Sequence, residues 1–215
     1  MTNNPEKILS LLSSMYLCKP TKGAIENWKI LFAEDVPDFM SGLKESINGI
    51  DSDSEEQLSD LLWEYTRLFI GPYKLPCPPW ESVYTSAKRL MMQEAFDKVQ
   101  EFYNEVGLKI DDPDIMPDHI GAELNFLAIL IQKMDNEPEK KNDYLNLAKR
   151  FLEEHLTRWI PQFSQEMKKA ACSSFYKELA RVTRDFILTE HNILNRVVKL
   201  TISPDTGASD HAQTI

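Results

Sequence analysis

Apolar residues recur at helical spacing in one stretch of this chain after another, and no stretch alternates convincingly at period two. That pattern selects an all-α fold. Near the start, Ile8, Leu9, Leu11, Leu12, Met15 and Tyr16 share one face, Pro5 suits an early helical position, and Lys19–Pro20 closes the element. A second, shorter helix is marked by Ile25, Trp28, Ile30, Leu31 and Phe32. A third carries Val36, Phe39, Met40, Leu43 and Ile47 and ends at Asn48–Gly49. The acidic run DSDSEE at 51–56 serves as turn and N-cap for a fourth, whose stripe is Leu58, Leu61, Leu62, Tyr65, Leu68 and Phe69. From about Val83 to Val106 one helix is expected, with Leu90, Met91, Ala95, Phe96, Val99, Phe102 and Tyr103 on its apolar face and Gly107 at its C-terminal cap. Further helices are expected over Ile120–Met134 with Asp118 as N-cap, over about 139–158, over Phe163–Met167 after a start or kink at Pro161, and from Cys172 to about Leu200.

Two stretches interrupt this series. Residues 71–80, GPYKLPCPPW, hold four prolines, so neither a helix nor a central strand runs through them. An ordered extended loop is expected there. DDPDIMPD at 111–118 is polar and broken twice by proline, the mark of a hinge. The expected organisation is therefore a two-lobed helical bundle: an N-terminal lobe over 1–107, a hinge near 108–117, a C-terminal lobe over 118–202, and a disordered tail over 203–215, where apolar residues are few.

A chain of 215 residues has ample core and needs no staple. Its 34 acidic residues against 24 basic ones give a net charge of −10. That disfavours a nucleic-acid face and an anionic membrane surface, and it favours encounter with a basic peptide. Cys18, Cys77 and Cys172 lie far apart, which argues against a disulfide framework and a zinc knuckle and for a reduced, cytoplasmic setting. No apolar run approaches the 18 residues of a membrane span. The N-terminal apolar stretch lacks a basic flank and a cleavage site, so it reads as a first helix and not as a signal peptide.

The nucleotide, hydrolase and metalloprotease motifs are absent from the sequence. One constellation remains. Asp118, His119 and Glu123 stand at a helix start, and His119 and Glu123 share a face at i, i+4. Such a carboxylate–imidazole group suits acid–base or metal-assisted hydrolysis. It also reads as a capping Asp, a structural His and a solvated Glu. The proline-rich loop likewise has two readings, a flap over the core or an aromatic-lined groove for a peptide, pre-set by its prolines. Cys77 within it has only Lys74 as a nearby cation and reads as a passive apolar side chain.

Two segments carry a resemblance, EYTRLFIGPYKLPCPPWESVYTS at 64–86 and MPDHIGAELNFLAIL at 116–130. Together they resemble the paired motifs of the TorD/DmsD/NarJ family of redox-enzyme maturation chaperones, nearest to the TorD and DmsD branch. The departures are Tyr65, where Trp is frequent, and Glu81, where Gly is common. The resemblance implies a two-lobed helical chaperone of the cytoplasm and not an enzyme. It implies no cofactor and no metal of its own, and as partner the twin-arginine leader, or N-terminal remnant, of a molybdopterin-dependent oxidoreductase catalytic subunit. It places the peptide site at Tyr65, Leu68, Phe69, Pro79 and Trp80 with Asp118, His119 and Glu123. In that reading the two carboxylates receive the arginine pair and the apolar groups receive the h-region. A monomer with some dimer is the expected state.

Overall fold

The computed structural model describes residues 4–33, 36–72 and 74–202, without the side chains of 197–202. The tail expected over 203–215 lies outside the described residues. Among these, ten α-helices follow one another: α1 (Pro5–Leu17), α2 (Lys22–Ala33), α3 (Ser41–Asn48), α4 (Glu55–Tyr65), α5 (Glu81–Thr85), α6 (Glu94–Glu105), α7 (Ile120–Asn136), α8 (Lys141–Phe151), α9 (Thr157–Ala170) and α10 (Ser174–Ile202). The all-α expectation holds.

Local chemistry sets the ends. The Asn4 side chain accepts from Glu6 N–H, and Ser54 accepts from Gln57 N–H, each capping the helix that follows. Gly71 at φ 102° and Gly107 at φ 69° take the left-handed turns that close the helical segments before them, conformations in which a Cβ is strained. Single π turns at Thr66–Ile70 and Leu152–Leu156 extend α4 and join α8 to α9. Consequently α9 passes through Pro161 as part of one helical run from α8 onward.

The helix expected from 83 to 106 is two helices. Between them Arg89 and Met92 adopt positive φ, 51° and 54°, and Ser86 Oγ accepts from Leu90 N–H at 3.0 Å. The break has a tertiary cause. Arg89 forms two hydrogen bonds to Glu166 on α9, at 3.1 and 2.8 Å, and its guanidinium lies 5.0 Å from the Tyr84 ring centre. This docking outweighs the helix preference of the Ala-Lys-Arg-Leu-Met-Met run. Leu90 and Met91, expected on an apolar face, are exposed instead, as is Met92.

One hydrophobic core extends from Ile8 to Ile187. Helices on both sides of residues 108–117 contribute to it: α1 lies along α7, α7 on α8, α9 on α10, and α10 on α3. Trp28 of α2 stacks on Phe175 of α10 with ring centres 5.7 Å apart. Tyr16 of α1 sits between Phe69 and Phe163, and its hydroxyl meets Thr183 Oγ1 at 3.0 Å. The α1–α7 contact is close because Gly121 has no side chain there. Ser13 Oγ donates to the Gly121 carbonyl at 2.7 Å, and Leu17 fills the space a Cβ would need.

Candidate functional site

The prolines at 78 and 79 hold the chain extended on entry to Trp80. Trp80 (φ −122°, ψ 132°) and His119 (φ −77°, ψ 136°) are both extended, and they pair as an isolated antiparallel β-bridge. Ile120 N–H donates to Pro79 O and Glu81 N–H to Asp118 O, each at 2.9 Å. The two segments distant in sequence are thus clipped together. Helix α5 starts directly after one arm of the clip and α7 directly after the other. The Trp80 and His119 rings meet edge to face, 6.2 Å between centres.

Asp118 does not cap α7. Its carboxylate turns across the clip, where Oδ2 accepts from Ser82 N–H at 3.0 Å and from the Ser82 hydroxyl. It therefore caps α5, whose own preceding residue, Trp80, has no side-chain acceptor. The cap of α7 is His119, whose Nδ1 accepts from Gly121 N–H at 3.1 Å. That bond places the proton of the neutral ring on Nε2. Burial of the ring pushes its pKa down to about 4, although the residue as a whole is half-buried.

Behind the clip lies a sealed group of ionisable side chains. Glu81, Asp118, Glu123 and His155 are at most 2% exposed. Glu81 Oε2 and His155 Nδ1 are 2.8 Å apart. Trp159 Nε1–H donates to Glu123 Oε2 at 3.2 Å. Burial raises the Asp118 pKa, and it holds Glu123 well above the usual carboxylate range, helped by the Glu81 and Asp118 carboxylates. Asp118 Oδ1, Glu123 Oε1 and His155 Nε2 find no partner among the described residues.

The residues expected to form the peptide site fall into two sets. Tyr65, Leu68, Phe69 and Pro79 are buried, with Tyr65 OH donating to Tyr16 O at 3.0 Å and the Phe69 ring edge-on to Tyr65 and Tyr176. Asp118 and Glu123 are fully covered, so in this structure neither carboxylate is open to a peptide arginine. Trp80 and His119 alone of the eight reach the surface. Cys77 is buried, and burial pushes its thiol up to about 12, as befits a passive side chain. The three side chains of the Asp118, His119 and Glu123 constellation serve Ser82, Gly121 and Trp159 respectively. Among the described residues no group of three or more His, Cys, Asp or Glu side chains is placed to hold a metal ion. No described helix is long and apolar enough to cross a membrane.

Sequence reasoning missed Glu81 and His155 as a buried pair. The signal for Glu81 was its departure from the common Gly; His155 offered none. It also missed a cleft beside α7. This cleft, of about 260 Å³, has Leu17, Ile110, Ile115, Phe126 and Ile129 in its walls and Asp111 and Asp112 at its edge.

The family described as the nitrate reductase delta subunit matches residues 31–165, and the chain belongs to that family, the group of TorD, DmsD and NarJ proteins. It is 32% identical over 124 residues to the Haemophilus influenzae protein named "Probable Tat proofreading chaperone DmsD", a match covering 56% of this chain and 55% of that one. It is 22% identical over 152 residues to the chaperone protein TorD of Vibrio parahaemolyticus, covering 69% and 70%. The match thus spans little over half the length of the DmsD relative. In three dimensions the chain resembles a solved Archaeoglobus fulgidus chain assigned as a redox enzyme maturation protein. The TM-score is 0.59 at 22% identity, covering 87% of this chain and 96% of that one, a likeness of fold.

Proposed function

We propose that this chain is a chaperone of redox-enzyme maturation and not a catalyst. In this reading it binds the twin-arginine leader, or an N-terminal remnant of it, on the catalytic subunit of a molybdopterin-dependent oxidoreductase. It holds that subunit in the cytoplasm until the cofactor is inserted. The observation that carries the reading is the clip. It presents a half-exposed indole and a neutral imidazole side by side on a backbone fixed by two hydrogen bonds. A preformed aromatic platform of this kind loses little freedom on binding. A leader offers it apolar side chains, which pack on the indole. Pro79 holds the clip through its carbonyl, and Tyr65, Leu68 and Phe69 belong to the core and not to the peptide surface. Asp118 and Glu123 hold the platform's shape and do not touch the peptide. The net charge of −10 draws a basic segment toward the surface.

The test is capture of the tagged protein from its native host grown anaerobically, with mass spectrometry of the co-eluting chains. Recovery of one large molybdopterin oxidoreductase subunit supports the reading. Recovery of none, from cells shown to express such an enzyme, contradicts it.

A further inference from the structure

The cleft beside α7 lies next to the clip and has the chemistry of a second contact region. Ala122, one turn along α7 from His119, lines it, and Leu17, packed against Gly121, forms its far wall. Its opposite wall is the 108–115 segment. That wall is held in place, with Leu108 N–H donating to Tyr103 O at 2.9 Å and Tyr103 OH donating to Pro117 O at 2.8 Å. The apolar lining is half open: Leu17, Leu108, Ile110, Ile115 and Ile129 are each only partly buried. A volume of about 260 Å³ is below the roughly 300–1,000 Å³ of pockets that enclose a whole small ligand, so it suits a few side chains of a segment crossing the surface.

The rim adds a sign. Asp111 and Asp112 line the cleft, both are exposed, and neither enters an ion pair among the described residues. Among the described residues the only cation lining the cleft is Lys109. Asp112 Oδ1 accepts from Asp114 N–H at 2.9 Å, which fixes that carboxylate at the cleft without neutralising its charge. An apolar slot lined by two exposed carboxylates complements a segment in which arginine stands beside an aliphatic run.

We propose that this cleft is where the leader's aliphatic residues dock, with Asp111 and Asp112 receiving its guanidinium groups. The inference rests on the leader-binding reading above, and it assigns the arginine contacts to exposed carboxylates in place of the buried Asp118 and Glu123. Trp80 and His119 then grip one part of the peptide while the cleft takes the neighbouring part.

The test is calorimetric titration with synthetic leader peptides of the molybdopterin oxidoreductases encoded in the same genome. The probes go into the wild-type protein, into the surface variant Asp111→Asn/Asp112→Asn, and into Ile129→Gln. The inference predicts that each variant weakens binding at least about fivefold. It also predicts that the Asp variant binds with a flatter salt dependence and loses nothing further when the peptide's arginine pair is replaced by glutamine. Wild-type binding that both variants retain in full overturns the cleft assignment and leaves the leader reading standing. Failure of every leader to bind the wild type overturns both. Both side chains are exposed, and Asp112→Asn keeps the Oδ1 that accepts from Asp114 N–H, so the effect of the Asp variant is separable from misfolding.

Discussion

Trp80 and His119 are paired in register, backbone against backbone, although 38 residues of chain lie between them. Each is the last extended residue before a helix, and each helix is capped at the clip, α5 by Asp118 from the other arm and α7 by His119 itself. The pairing therefore sets the directions of two helices and the placing of two surface rings in a single arrangement.

Asp118 acts through this geometry. Replacing it with Ala leaves the Ser82 amide and hydroxyl buried without an acceptor, which costs about 1–3 kcal/mol. Asp118→Asn keeps one oxygen acceptor and costs less. Urea unfolding of both variants measures the order. Were Asp118 a direct partner of a peptide arginine, Asp118→Asn would leave stability intact and flatten the salt dependence of leader binding.

Glu123 predicts a pH effect of definite sign. Burial holds its folded-state pKa well above the unfolded value of about 4.3, so folding retains a proton that the unfolded chain releases. The stability this contributes is complete below the unfolded value and is lost as pH rises toward the folded pKa, at up to about 1.4 kcal/mol per pH unit. Glu123→Gln removes the titration and keeps an oxygen for the Trp159 N–H. Denaturant unfolding at about pH 5 and about pH 8 is expected to show the variant gaining on the wild type as pH rises. Parallel behaviour at the two pH values would mean that Glu123 titrates as an ordinary carboxylate.

Gly121 is required by the α1–α7 approach. A Cβ at this position would lie 2.5 Å from Leu17 Cγ and 2.9 Å from Leu17 Cδ2. Gly121→Ala is expected to cost about 1–3 kcal/mol, as overpacking does. In a Leu17→Ala background most of that cost disappears, and the double-mutant cycle gives a coupling of about 1 kcal/mol or more. Additive losses would show that the helices move apart without strain.

The apolar stripes made the helices readable, because helical spacing and core burial are the same fact seen twice. Ile8, Leu12 and Tyr16 are one stripe in sequence and one buried face in α1. The interruption at 86–93 was not readable. Its residues prefer helix, and the contacts that hold the break, Glu166 and the Tyr84 ring on Arg89 and Ser86 Oγ on Leu90 N–H, depend on the folded arrangement. The proline loop and the 116–130 motif were recognisable as a candidate site, yet the packing of the side chains within it was not. Side-chain type marked Asp118 and Glu123 as arginine ligands, whereas burial, a property of the whole packing, turned them inward to Ser82 and Trp159. The 108–117 segment showed its prolines and acidic residues in sequence, but the cleft it forms with Leu17 and Ile129 exists only once α1 lies on α7.

The central claim is that the Trp80–His119 platform holds the client's N-terminus. A peptide copied from the N-terminus of the captured oxidoreductase subunit, titrated into the wild type and into Trp80→Ala, measures this directly. The account predicts binding to the wild type and a loss of about 1–3 kcal/mol in the variant, the scale of an aromatic anchor. Equal affinity for the two proteins would contradict it.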